Sequence, residues 1–256
     1  MKTRKTKITD IDGIAQVEFD RYQIRYSEHP EEKPRFKSML KQRLEIAQDW
    51  MWVLVDKDEI AGAISAQTTN KSLDDFESWE KSTDNGTLGS TFDKTGQNVY
   101  VVNLDVSRQA TKHNGQYMLM LRFASQVVAQ GKKLVFFESR MPDFREYVAS
   151  KYGLEKWDHL AKTEQHQIAE DYTHLKKQDS NKLHDRLLNF YAESGFKFYK
   201  VIDNAFVDGE SLNFGVVCYT KNPFPKLLRI WPFNRFFGFL VRVLGKNPRI
   251  LDWLIK

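Results

Sequence analysis

A chain of 256 residues with 41% hydrophobic and 29% charged residues has the composition of a water-soluble globular protein. Its single cysteine, Cys218, excludes an internal disulfide framework and a cysteine-rich zinc module, and suits a reducing compartment. The net charge of +5 sits at one end: residues 223–256 hold seven Lys or Arg against one Asp, a net of +6, so the remainder comes to −1 by difference and gives no support for a nucleic-acid-binding face.

In chain order, the basic segment Met1–Lys7 has no apolar run behind it, so no secretory signal is expected, and no stretch of about 20 uncharged apolar residues follows that could span a membrane. Ile8–Asp12 reads as a short strand and a helix start, with Thr9 or Asp10 as cap and Ile11, Ile14 and Ala15 on one face. Pro30 and Pro34 break the helical region before an amphipathic stretch from Phe36 to Ala47. A hairpin follows, Met51–Val55 returning through Ile60–Ser65. Residues 68–98 are polar and glycine-containing, as for a long surface excursion. Val99–Val106 is a strand, then an exposed polar loop leads into a helix with Met118, Leu121, Ala124 and Val128 at helical spacing. Leu134–Phe137 is a short apolar strand, which makes a βαβ unit with a parallel pair. Residues 144–194 read as mainly helical, and 196–203 with 211–220 as a closing antiparallel pair.

The order and spacing of several motifs resemble the GNAT superfamily of coenzyme A-dependent N-acyltransferases, and more narrowly the larger GNAT proteins that occur fused to, or encoded near, nitrilase-type hydrolases. Leu104-Asp105-Val106 matches the end of the family's fourth strand, and Thr111-Lys112-His113-Asn114-Gly115-Gln116 occupies its pyrophosphate loop, with Asn114 and Gln116 where the family has small residues and Thr111 where it has Gln or Arg. Asn189–Phe196 resembles the Tyr-x-x-x-Gly-Phe helix end. Trp79-Glu80, Asn85-Gly86-Thr87, Ser139–Phe144, Asp185, Asn204, Asp208, Ser211 and Asn222-Pro223 carry the narrower likeness, which covers residues 5–223.

The resemblance implies an α/β fold: a mixed, mainly antiparallel sheet with a splayed central parallel pair and helices on both faces, in a domain of residues 1–222 followed by a C-terminal amphipathic extension, 223–256. It implies acetyl-CoA as acyl donor, held by Leu104, Val106, Thr111, Lys112, His113, Asn114, Gly115, Gln116 and Tyr117. A helix start offers free amides and a favourable dipole to phosphate, and Lys112 and His113 add positive charge. Acyl transfer to an amine needs a base for the nucleophile and a proton for the departing thiolate. Tyr191 is the candidate acid, with a core aromatic as its alternative. Glu138 would act as base or bind a cationic amine, or else pair with Arg140. Asp105 is a third candidate acid, its facing set by strand register. Arg140 would bind an acidic substrate group or pair with Asp143 or Glu146.

His159, His166, Glu170 and His174 would share one side of a continuous helix, read as a solvated face, so no metal is expected. Cys218 is expected to be packed and inert, and Ser139 has no Gly-x-Ser-x-Gly context. The expected function is N-acyl transfer from coenzyme A to a small amine, amino acid or peptide in the cytoplasm, with no nucleic acid partner; the alternative is a GNAT-derived binding or regulatory module without catalysis. In the tail, Phe233, Phe236, Phe237, Leu240, Val241 and Leu244 form an apolar helical face, and Ile250, Leu251, Trp253, Leu254 and Ile255 a second group beside Lys246 and Arg249. Residues 224–255 therefore suit an anionic membrane surface, such as the inner membrane face, docking on the domain, or a homodimer.

Overall fold

The computed structural model describes residues 1–244 except 179, 206 and 225, and the backbone alone at Ile24 and Leu244. The second apolar group of the tail lies outside the described residues. The elements are β1 (Lys2–Lys5), α1 (Ile11–Arg21), α2 (Gln23–Glu28), α3 (Glu32–Ala47), β2 (Met51–Asp56), β3 (Glu59–Thr69), α4 (Trp79–Thr83), β4 (Asn98–Val106), α5 (Arg108–Thr111), α6 (Gly115–Ala129), β5 (Leu134–Arg140), α7 (Phe144–Lys151), α8 (Leu154–His159), α9 (Lys162–Thr173), α10 (Arg186–Glu193), β6 (Lys197–Ile202), β7 (Gly215–Lys221) and α11 (Phe233–Leu244). The chain divides into two compact units, one of residues 1–71, 80–135 and 221 onward, the other of 72–79 and 136–220.

In the first unit, β1, β2, β3 and β4 are neighbours in that order and pair antiparallel. β5 starts beside β4, parallel to it, with α6 as the crossover between them. The first strand is Lys2–Lys5, not the Ile8–Asp12 segment expected: Ile8–Asp10 forms a 3-10 turn instead. Asp10 makes no capping hydrogen bond; its carboxylate takes two bonds from Arg4 (2.6 and 2.8 Å) and one from the Lys7 amide.

Alternation along β2 puts helices on both faces of this sheet. Met51, Val53 and Val55 join Ile11, Ile14, Phe19, Leu40 and Leu44 of α1 and α3 in one core cluster. Trp52 and Leu54 face the other way, where Leu54 meets Gly115 at the start of α6 and Trp52 lies under Arg122. The buried residues of α6 are Gly115, Leu119, Phe123, Ser125, Val127 and Val128; of the expected face, Val128 is among them, while Met118, Leu121 and Ala124 are only half-buried. The helix α11 packs along α6. There Gly238 lets the two backbones approach: a Cβ would lie 2.6 Å from Ala129 Cβ and 2.8 Å from Ser125 O. Ser125 Oγ donates to Gly238 O at 2.9 Å and Asn234 Nδ2 to Ala129 O at 2.9 Å.

The segment 68–98 is not a plain surface loop. Leu88 and Thr83 are fully buried, and Gln67 Nε2 donates to Ser82 O.

In the second unit the strand order is β5-β7-β6, with β6 and β7 antiparallel as expected (Lys197↔Tyr219, Ile202↔Gly215). The region 144–194 is four helices and not one run. Gly153 at φ +80° separates α7 from α8, extended Leu160 ends α8, and Asp185 opens α10. His159 therefore sits on a different helix from His166, which overturns the shared face proposed for the four side chains.

Candidate functional site

The strongest arrangement of ionisable groups is in the first unit, around the second half of β4. Val102 is an extra residue in β4, since Ser65 pairs with Asn103 and Ala66 with Val101. Such a bulge re-aims the side chains that follow it. Asn103 and Asp105 come next, two apart and hence on one face. Asn103 Nδ2 donates to Asp105 Oδ2 at 2.6 Å. The buried Asp105 is also hydrogen-bonded to Glu18 of α1. Tyr26 Oη, from α2, donates to Glu18 Oε1 at 3.3 Å.

Behind this pair lies Arg43 of α3, 1% exposed. Its Nε donates to Gly86 O (2.9 Å), and its Nη1 to Ser65 Oγ (2.8 Å) and Asn103 Oδ1 (2.6 Å). Burial lowers its pKa to about 10, opposed by the negative charge of Asp105 and Glu18, so it stays cationic at neutral pH. Burial is also the main reason that the Glu18 carboxyl is held well above the usual range, reinforced by the neighbouring Asp105. Two buried carboxyls in contact cannot both ionise cheaply. Asn103 links Arg43 to the pair, accepting from Arg43 Nη1 and donating to Asp105. Burial and the Glu18 charge push the Tyr26 phenol up as well.

The loop between β4 and α6 is less open than expected. Ser107 caps the short helix α5, accepting from the Ala110 amide at 3.2 Å. Asn114 takes the left-handed conformation (φ 59°) that Asn tolerates. Thr111, Lys112, His113 and Tyr117 are exposed, but Gly115 is buried, and a Cβ there would meet Leu54 at 2.7 Å and Ala110 O at 3.0 Å. The glycine is thus required by packing, which corrects the expectation of an exposed position. Gln116 has its side-chain oxygen buried without a hydrogen-bond partner. Leu104 is half-buried and pairs with Ile64; Val106 is buried and pairs with Gly62.

In the second unit, the Tyr191 ring is part of an aromatic cluster, with centroids 4.6 Å from Phe137, 5.3 Å from Phe190 and 6.0 Å from Phe196. Glu138, near the end of β5, is half-buried, and its negative charge helps burial to raise the pKa of the Cys218 thiol. Cys218 is completely buried, as expected of a packed thiol. The Arg140 Nε and Nη2 grip Asp208 at 2.8 and 2.6 Å, and Nη2 also reaches Glu210 at 2.9 Å. Its planar fork suits this bidentate grip on Asp208. Asp208 also accepts from Ser211, whose Oγ accepts from the Met141 amide at 2.9 Å, fastening the 203–213 loop to the end of β5. His166 is held by Asp203 (2.7 Å) and Glu170 (3.5 Å), and the Asp203 bond raises its pKa. Among the described residues, no group of three or more His, Cys, Asp or Glu side chains is placed to hold a metal ion.

No protein-family model and no curated protein matches the sequence. Solved structures do match. The GphF GNAT-like decarboxylase in complex with isobutyryl-CoA is 18% identical, with a TM-score of 0.64 over 86% of this chain and 99% of that one. The loading GNATL domain of CurA from Lyngbya majuscula is 18% identical, with a TM-score of 0.63 over 86% of this chain and 96% of that one. An aminoglycoside 6'-N-acetyltransferase complexed with coenzyme A is 12% identical at a TM-score of 0.50, over 88% and 99%. The chain has the GNAT fold.

Within this GNAT fold, Asp105 is the one member of the buried network that sequence reading singled out. Glu18, Tyr26, Arg43, Ser65 and Asn103 were missed. A signal for two of them was present: Glu18 falls on the same helical face as Ile11, Ile14 and Ala15, and Arg43 lies three residues after Leu40 and four before Ala47. A charge inside an apolar stripe must find a partner in the core.

Proposed function

We propose that the chain is an N-acyltransferase that moves an acetyl or other acyl group from coenzyme A to a small amine, amino acid or peptide. The observation that carries this reading is the Glu18–Asp105 pair on the far side of the β4 bulge, backed by buried Arg43. A carboxyl whose pKa is raised by burial, beside a second carboxyl, is the kind of group that acid–base catalysis uses. In GNAT proteins the fourth strand carries the thioester, which puts the reacting carbonyl close to this segment by resemblance. Asp105, hydrogen-bonded to Glu18 and Asn103, takes the proton that the amine nitrogen must lose. The fold and the coenzyme complexes of its structural neighbours support the donor. For the pyrophosphate, the residues fit: α6 opens at Gly115, where the helix dipole favours an anion, and Lys112 and His113 are exposed beside it. Tyr191 is proposed as the acid that returns a proton to the departing thiolate, and Glu138 as a second group for a cationic substrate.

A second reading, on a carboxylated acyl-CoA, is favoured by the decarboxylase, which scores higher than the aminoglycoside enzyme. Thiol release from acetyl-CoA across a panel of amines, run beside carbon dioxide release from malonyl-CoA, separates the two. Acetyl transfer should fall about 10²–10⁴-fold in Glu18→Gln, Asp105→Asn and Tyr191→Phe, with coenzyme A binding retained. Wild-type chain that binds acetyl-CoA but releases no thiol with any amine would leave a binding module.

A further inference from the structure

α11 docks by only part of its apolar surface. Asn234 and Gly238 face α6, and Phe237 meets Phe224. Measured at 100° per residue from Phe236, this group centres near 150°, whereas Phe233, Phe239 and Val243 fall within about 60° of Phe236 itself. That second side remains in solvent: Phe236 is 58% exposed, Phe239 60%, and Trp231, just before the helix, 78%. Sequence reading treated the apolar positions as one face; the structure splits them in two, and docking accounts for only one.

We propose that the outward face of α11, with Trp231, lies in the headgroup layer of an anionic lipid membrane. Charge decides between this occupant and a second copy of the chain. Residues 223–244 carry Lys226, Arg229, Arg235 and Arg242 and no acid. Arg235 and Arg242 border the exposed stripe about 100–120° from its centre, where long cationic side chains reach phosphate while the aromatic rings enter the interface. Burial, and then the nearby charge of Arg242, lower the pKa of Arg122 on α6, so Arg122 adds to the positive charge beside the helix. A symmetric dimer across this stripe would set these cations against their own copies, whereas an anionic surface neutralises them. The 12-residue helix is about 18 Å long and lies along the surface; among the described residues no helix is long and apolar enough to cross a membrane.

The test uses the full chain and vesicles of phosphatidylcholine with phosphatidylglycerol. The chain should co-sediment with them at low salt, and about tenfold or more weakly with phosphatidylcholine alone or at high salt. Phe236→Ser with Phe239→Ser changes only exposed positions, so melting should hold while vesicle affinity falls by about tenfold or more. A full chain that ignores the anionic vesicles, or a folded double variant that binds them as well as wild type, overturns the proposal. So does a solution dimer that the double variant converts to monomers without any lipid binding, because the stripe then belongs to a second copy.

Discussion

Glu18 sits in a position that costs stability at neutral pH, and the sign can be worked out. Its carboxyl, ordinarily near 4.5, is raised by burial and by Asp105. The stability it contributes is fully present below pH 4.5 and is lost as pH rises toward the folded value, because the unfolded chain ionises freely while the fold keeps the proton. Glu18→Gln preserves a donor toward Asp105 and removes the titration. The variant should gain stability over wild type as pH climbs from about 5 to about 8, read as chemical-denaturation midpoints, even though acyl transfer falls. A wild-type-minus-variant difference that does not change with pH would mean that Glu18 is ionised in the fold. Asp105 was legible in the sequence because its strand was; its partners were not, since periodicity marks which face a residue occupies but not which distant helix covers it. Arg140 shows the same limit: Asp208 and Glu210, the carboxylates it grips, lie far along the chain.

At the level of elements, strands were read more securely than helix ends. β2, β4 and the β6–β7 pair follow their apolar runs closely, while the helical stretch after β5 hid three interruptions. Those breaks are set by tertiary partners as much as by local residues. Asp185 is the clearest: almost wholly buried, it accepts from the amides of Leu187 (2.9 Å) and Leu188 (3.0 Å) at the start of α10, from the Asp143 amide (3.1 Å) and from Tyr172 Oη (3.3 Å). It therefore caps one helix and ties down the turn before another. Asp185→Ala removes the cap and leaves buried donors without an acceptor, an expected loss of about 2–4 kcal/mol in urea denaturation. Asp185→Asn keeps one acceptor oxygen and should recover part of that loss. An alanine variant as stable as wild type would mean that water replaces the carboxylate and that α10 needs no cap.

For the molecule as a whole, the first unit is assembled from the beginning, middle and end of the chain. Lys2–Lys5 closes one edge of its sheet, and the segment after β7 returns to cover α6. Sequence reading set residues 223–256 apart as an extension because their charge and aromatic content differ from the rest; packing joins the described part of them to the unit. Asn222 begins the return, with its amide on Lys133 O at 2.9 Å and its Nδ2 on Lys132 O at 2.8 Å, and Gly131 at φ +64° makes room for the backbone of Arg229. A chain ending at Asn222 should consequently be less stable by roughly 3–6 kcal/mol, from the lost burial of Phe237 and Val241 and the lost bonds of Ser125 and Asn234. It should also bind an apolar dye on the uncovered side of α6. The contrast with Phe236→Ser and Phe239→Ser is diagnostic, because one helix then carries two separable functions: its inner face sets the melting temperature, and its outer face sets affinity for lipid. If truncation leaves both the melting curve and dye binding unchanged, α11 contributes nothing to the unit, and the gap left at Gly238 for α6 has no energetic consequence.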